Sequence, residues 1–72
     1  YDLMIEPKNK NNRAFILEFK VTRDENTLEK VSREAIEQII EKKYDVVLRE
    51  RGIEDITLIG VAFCGKRVKI SY

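Results

Sequence analysis

The segment 56–63, Ile-Thr-Leu-Ile-Gly-Val-Ala-Phe, is apolar at nearly every position. Successive side chains of a β-strand point to opposite faces of the sheet, so Leu58 faces one way, whereas Ile59 and Val61 face the other. A strand that is apolar on both faces is typical of the interior of a sheet that is covered on both sides. The segment therefore predicts a sheet in which it is an inner strand.

Three further segments have the composition of strands, namely 1–6, 14–21 and 66–72. Between the first two lies 7–13, whose proline and three asparagines indicate a loop or a wide hairpin turn. A tight turn is predicted at residues 64–65. The strand that follows it alternates apolar with polar residues, as a half-exposed edge strand does.

A helix is predicted between the second and third strands. Apolar residues recur at helical spacing over residues 28–40. We expect Asn26 to be the N-cap, with Glu29 as its capping-box partner, and the helix to reach Lys43. A further helical turn or two is expected over residues 44–50.

The element order is thus β-β-α-β-β. The helix can carry a right-handed crossover, which makes strands 14–21 and 56–63 parallel neighbours, while the two outer strands pair antiparallel through hairpins. The predicted fold class is α/β, a mixed four-stranded sheet in sequence order with one helix on one face. That single helix leaves the second apolar face of the sheet uncovered. We therefore expect a homodimer, or pairing through the edge of the first strand.

Composition excludes several classes of site. The 72 residues include no histidine, which rules out a Cys/His nucleophile and a zinc site that uses histidine, and the lone Cys64 rules out an internal disulfide. The three glycines are dispersed, so they form no phosphate-binding loop. One cysteine fits a reducing compartment, and no apolar run is long enough to span a membrane, so a cytoplasmic location is expected. Because the chain opens at Tyr1 within a strand, we expect it to be part of a longer protein.

Two opposite charges interrupt the apolar strand 14–21. Glu18 and Lys20 lie two positions apart and therefore share a face of the sheet. If that face is solvated, they form a surface ion pair worth less than about 1 kcal/mol. If it is buried, the charges need partners or a metal ion. Asp2 has the same phase in the preceding strand, so a hairpin can place it opposite Glu18 to Lys20, where two carboxylates would favour Mg²⁺.

Three phrases of the sequence, ILEFKV, AIEQIIEKKY and GVAFCGKRV, carry a resemblance to a known family. Together with Asp2, they resemble the PD-(D/E)XK nuclease superfamily, and more narrowly the nuclease-like domain at the C-terminus of bacterial AAA-ATPase-like proteins. The resemblance covers essentially the whole chain. It implies a restriction-endonuclease-like sheet of which residues 1–72 are the C-terminal part, since the family core has a helix and a strand before Asp2. Tyr1 stands where the motif has proline.

The resemblance also implies a function and a set of site residues. Asp2 and Glu18 would be ligands of Mg²⁺ or Mn²⁺, and Lys20 would be the catalytic lysine of a nuclease. Gln38, followed by Tyr44, resembles the Gln-and-Tyr helix motif of exonuclease-type members, which helps to order the site. The expected substrate is a nucleic-acid phosphodiester, of DNA rather than RNA, and the expected partner in the parent chain is an N-terminal ATPase-like region.

Alternatives from the residues themselves remain open. The fold could belong to a catalytically inactive module that serves assembly or nucleic-acid binding. Gln38 could be a polar residue at the boundary of the helix stripe, and Tyr44 a packing aromatic. A set of basic residues could follow a phosphate backbone or simply be solvated: Lys42, Lys43, Arg49, Arg51, Lys66, Arg67 and Lys69.

Overall fold

The computed structural model describes residues 2–9 and 11–72. Tyr1, which we predicted at the start of the first strand, lies outside them. Within the described residues the chain forms four strands, two α-helices and a short 3₁₀ turn, in the predicted order β-β-α-β-β with the second helix after the first. The elements are β1 (Asp2–Ile5), β2 (Ala14–Val21), the 3₁₀ turn (Glu25–Thr27), α1 (Leu28–Glu41), α2 (Tyr44–Glu50), β3 (Ile56–Cys64) and β4 (Arg67–Ser71).

The strands form one sheet in the order β1-β2-β3-β4. β1 pairs antiparallel with β2, β2 pairs parallel with β3, and β3 pairs antiparallel with β4. This is the mixed α/β sheet that the sequence predicted, with the crossover through α1 joining the two parallel strands. The register sets Asp2 opposite Glu18 on the β1–β2 ladder.

The start of α1 differs from the prediction. Asp24, not Asn26, provides the cap, because its Oδ1 accepts a hydrogen bond from the Asn26 backbone N–H at 3.0 Å. This bond opens the 3₁₀ turn first, and α1 then begins after Thr27 without a side-chain cap. The predicted capping box of Asn26 and Glu29 is therefore wrong. Asp24 lies two residues before Asn26, and its side-chain oxygen accepts the backbone hydrogen bond at the start of the 3₁₀ turn.

The helix ends close to the predicted place. α1 stops at Glu41, and Lys43 adopts a left-handed conformation with φ of 59° before α2 begins at Tyr44. The turn between the last two strands lies one residue later than predicted, since Cys64 still belongs to β3 and Gly65 takes the positive φ of 58°. A tight hairpin turn requires that conformation, which glycine adopts without strain.

The hydrophobic core lies between the sheet and the two helices. Ala14 and Ile16 of β2 pack with Ile39, Leu48 and Ile53, all of them buried. Alternation along each strand puts the opposite set of side chains on the other face of the sheet, which neither helix covers. The apolar residues of that face are Leu3, Ile5, Phe15, Leu17, Phe19, Val21, Ile59, Val61, Phe63, Val68 and Ile70, hereafter the open face.

The open face qualifies two of our predictions. Only the middle of β3, from Gly60 to Ala62, is fully buried, and Phe63 is 37% exposed, so burial of this strand on both faces is only partial. β4 is more exposed than a half-buried strand, because its apolar residues Val68 and Ile70 lie on the open face. Its polar residues lie on the helix side, where Ser71 hydrogen-bonds Ser32 of α1 at 2.5 Å.

No helix in residues 2–9 and 11–72 is long and apolar enough to cross a membrane.

Candidate active site

Asp2 and Glu18 face each other across neighbouring strands on the helix side of the sheet. The Glu18 side chain is only 2% exposed, whereas that of Asp2 is 28% exposed. Glu18 is thus a buried carboxylate in the middle of an inner strand, which disagrees with the solvated-face interpretation. A carboxylate in this position requires positive or hydrogen-bonding partners.

Gln38 of α1 links Glu18 to Lys20. With its amide oriented to satisfy both ends, Gln38 Nε2 donates to Glu18 Oε1 at 2.8 Å, and its Oε1 accepts from Lys20 Nζ at 2.9 Å. The single side chain of Gln38 therefore hydrogen-bonds two residues of β2 that carry opposite charges. Gln38 therefore contacts two site residues directly and is more than a polar residue at the boundary of the apolar face of α1.

Lys42 lies one helical turn after Gln38, at the C-terminal end of α1. Its Nζ is 3.0 Å from Glu18 Oε1 and 3.5 Å from Asp2 Oδ2, so its ammonium bridges both carboxylates. The same ammonium lies 5.7 Å from the centroid of the Tyr44 ring, within the range of a cation–π contact. Positions i and i+4 share a helix face, which explains why Gln38 and Lys42 reach the same site.

Tyr44 binds the second carboxylate. Its hydroxyl donates to Asp2 Oδ2 at 2.7 Å, while its ring packs against the hydrophobic core. The hydrogen bond to Asp2 raises the pKa of the Tyr44 phenol, with smaller raising contributions from desolvation and from the Asp2 charge, opposed by Lys42. The hydroxyl therefore remains a donor across the neutral range and holds Asp2 in place.

The structure brings together all four predicted site residues, Asp2, Glu18, Lys20 and Gln38, and adds two. Tyr44 was predicted only to help to order the site, and Lys42 was grouped with the basic residues that might follow a phosphate backbone. We expected the ammonium beside the two carboxylates to come from Lys20, but Lys42 lies between them. The helix pattern offered one signal for Lys42, its spacing of four from Gln38.

Three of the other basic residues are paired with acids. Arg49 lies 3.8 Å from Asp45, Arg67 lies 3.1 Å from Glu25, and Arg51 bonds Glu6. The arginine side chain of each pair is more than half exposed, which favours the interpretation that these three residues are solvated.

The site offers few side-chain donors for a metal ion. Among the residues that the structure describes, no group of three or more His, Cys, Asp or Glu side chains could hold a metal. Asp2 and Glu18 supply two hard oxygen donors. That number suits Mg²⁺, which is commonly held by one or two carboxylates and keeps several water ligands. The residues therefore fit an ion of this class.

A family model described as the PD-(D/E)XK nuclease superfamily matches residues 1–72. The chain belongs to the PD-(D/E)XK nuclease superfamily. The mixed sheet and its crossover helix agree with the restriction-endonuclease-like fold of this superfamily. PD-(D/E)XK nucleases typically use divalent metal ions, and membership indicates nucleic acid as a partner. Searches of curated proteins and of solved structures returned no match.

Proposed function

We propose that the chain is a metal-dependent nuclease that hydrolyses nucleic-acid phosphodiester bonds, with DNA as the substrate. The observation that carries the proposal is the pairing of Asp2 with Glu18 on the helix side of the sheet, beside Lys20. A buried acid and a lysine on an inner strand are costly to maintain in a domain that has no use for them. Membership of the PD-(D/E)XK superfamily supports this use of the charges.

Each site residue has a role in the proposal. Asp2 and Glu18 would hold Mg²⁺ or Mn²⁺, and such an ion would supply positive charge for the reacting phosphate. Lys20 adds its ammonium where negative charge develops on the phosphate oxygens. Gln38 is a positioning residue, since it hydrogen-bonds both Glu18 and Lys20. Tyr44 positions Asp2 through the bond from its hydroxyl.

Cleavage of duplex and single-stranded DNA, and of RNA, with Mg²⁺, Mn²⁺ or EDTA tests the proposal. The full chain should cleave DNA only when a divalent ion is present. Lys20→Met should lower the rate by about 100-fold, because one donor of positive charge is removed from the reacting phosphate. Lys30→Met is the matched control, since Lys30 is an exposed lysine of α1 that pairs with Glu34 at 4.0 Å.

Two results would contradict the proposal. One is cleavage that continues in EDTA at the rate seen with Mg²⁺. The other is a Lys20→Met variant that remains folded by circular dichroism and cleaves as fast as the Lys30→Met control. Activity on RNA alone would support the proposed nuclease activity but contradict DNA as the substrate.

A catalytically inactive nuclease-fold module is the second candidate. One observation favours it, namely that the Lys42 ammonium already pairs with both carboxylates. Such a module would bind nucleic acid or assemble with partners, and it would do so equally well with EDTA. Titration with Mn²⁺ separates the candidates, because only the nuclease requires Asp2 and Glu18 to bind the ion.

We propose, in addition, that two copies of the chain pair through the open face. Four strands about 4.8 Å apart and roughly six residues long present about 400 Å² of sheet. Six apolar residues of this face are each more than a third exposed, and the largest apolar patch of a protein is often a functional surface: Leu3, Ile5, Val21, Phe63, Val68 and Ile70. The N-terminal ATPase-like region of a parent chain stays a prediction of the sequence resemblance.

A further inference from the structure

Lys42 contacts the two carboxylates that would hold a metal ion. Its ammonium contacts one oxygen of Asp2 and one oxygen of Glu18, at 3.5 and 3.0 Å. A divalent ion held by Asp2 and Glu18 would take carboxylate oxygens of the same two side chains as ligands. An ammonium and a divalent ion that share the same two carboxylates would repel each other, because both are positively charged.

The charges of the four site residues that the structure describes offset one another. Two carboxylates, Asp2 and Glu18, stand against two ammonium groups, Lys20 and Lys42, so the formal charges of these four sum to zero. A divalent ion added to this cluster would leave two uncompensated positive charges beside a side chain that is only 2% exposed. Binding is therefore unfavourable unless one ammonium moves away.

Lys42 is the ammonium that can move. Its side chain is 41% exposed, and it begins at the end of α1, next to the left-handed Lys43. A lysine stem is long and flexible, so the ammonium can turn into solvent without any change in the backbone. Lys20, in contrast, starts from an inner strand and donates to Gln38 at 2.9 Å.

We infer that Lys42 is the internal counter-ion of the metal-free site and competes with the divalent ion for Asp2 and Glu18. The inference rests on the proposed function, because it takes these two carboxylates as the metal ligands. Lys42 stabilises the metal-free fold by neutralising a buried acid, and it weakens metal binding by the same contact. The ion binds only as the ammonium leaves.

Calorimetry with Mn²⁺ on the full chain tests this competition. Lys42→Met keeps the apolar stem and removes the charge, so it should bind Mn²⁺ about tenfold more tightly than the unsubstituted chain, or better. Lys43→Met is the matched control, because Lys43 is an exposed neighbour with the same charge. Its affinity should stay within about twofold, since solvent and salt screen exposed charges.

Thermal unfolding provides a second measurement that does not depend on activity. In EDTA, Lys42→Met should melt at a lower temperature than Lys43→Met, because the buried Glu18 loses the ion pair with Lys42. Saturating Mn²⁺ should then raise the melting temperature of Lys42→Met by more than it raises that of the unsubstituted chain. If Lys42→Met does not fold, Lys42→Gln replaces it, because the amide can still donate to Glu18 without carrying a charge.

The outcomes separate this inference from the proposed function. If the unsubstituted chain binds Mn²⁺ and the folded Lys42 variants bind it equally or more weakly, the competition is refuted and the nuclease proposal stands. If neither the chain nor any folded variant binds Mn²⁺, the proposed metal site is refuted and the competition with it. Tight binding by the Lys42 variants alone supports the inference.

Discussion

Gly60 of β3 lies directly against the backbone of Ser32 in α1. A Cβ atom added to Gly60 would lie 1.9 Å from the Ser32 carbonyl oxygen and 3.0 Å from Cγ1 of Ile36. Gly60 is also the residue paired with Glu18 on the parallel β2–β3 ladder. This close approach brings the crossover helix down onto the strands at the level of the carboxylate, so that Gln38 and Lys42 can reach it.

We predict that Gly60→Ala destabilises the fold by about 2–3 kcal/mol, because a methyl group cannot fit against a helix backbone without moving it. Urea unfolding followed by circular dichroism measures the effect. Gly65→Ala is the matched control, since apart from its two chain neighbours no atom lies within 4 Å of the added Cβ. The only penalty there is the positive φ of 58°, which alanine adopts with strain. That strain costs about 1–2 kcal/mol. A Gly60→Ala variant as stable as the unsubstituted chain would contradict the close approach.

The bond between Tyr44 and Asp2 predicts an elevated phenol pKa in the metal-free protein. Absorbance titration in EDTA, with Tyr44→Phe to assign the transition, should place the pKa of Tyr44 above its ordinary value of 10.0. Asp2→Asn removes the carboxylate acceptor and its charge, so the transition should move to lower pH. An unchanged transition in Asp2→Asn would show that the hydrogen bond is absent in solution.

The same shift fixes the sign of a pH effect on stability. The folded chain holds the phenol proton more tightly than the unfolded chain does. The contribution of the bond is therefore fully present below the ordinary pKa of 10.0 and is lost as the pH rises through the elevated value. Between pH 10 and the elevated pKa, Tyr44→Phe should lose less stability with rising pH than the unsubstituted chain does. Near neutral pH the two should depend on pH alike.

The open face predicts self-association. Sedimentation equilibrium at micromolar concentrations should show monomers and dimers in equilibrium. The open face would bury about 400 Å² per copy, which is less than the roughly 800 Å² per partner of a standard interface, so the dimer should be weak. Ile70→Glu should shift the equilibrium to the monomer, because it places a charge in the open face. Ile40→Glu is the matched control, as Ile40 is 55% and Ile70 52% exposed, but Ile40 lies on α1. An 8.5 kDa monomer at all concentrations would contradict the proposed pairing.

The sheet could be predicted from sequence because each strand has a distinct pattern. The apolar run of β3 predicted that it is an inner strand, and the alternation of side chains in β1 and β2 predicted which residues share a face. Whether the face of Glu18 and Lys20 is buried stayed open until the structure placed Glu18 beneath α1. The phase of Asp2 within a hairpin predicted that it lies opposite Glu18 to Lys20, and the ladder pairs it with Glu18. Lys20 and Gln38 were also expected at the site, and one hydrogen bond joins them.

Other features depend on atomic contacts that a pattern does not specify. Several polar residues precede α1, and the pattern does not specify which side chain accepts a hydrogen bond from a backbone N–H. In the structure the acceptor is Asp24 and not Asn26. The role of Lys42 depends on the direction of a flexible stem, and its sequence environment is that of a solvated helix end. The place of Gly60 depends on the distance between a helix and a strand, which composition does not reveal.

The most direct test of the proposed nuclease site is Mn²⁺ binding by the Glu18→Gln variant. Calorimetry should detect a bound ion in the unsubstituted chain and in an exposed control variant, Glu54→Gln. Glu18→Gln should weaken binding by more than the roughly 10–100-fold that loss of an outer-shell partner costs, because it replaces a charged ligand by a neutral amide. Equal Mn²⁺ binding by all three proteins, with Glu18→Gln folded, would contradict the assignment of Glu18 as a metal ligand.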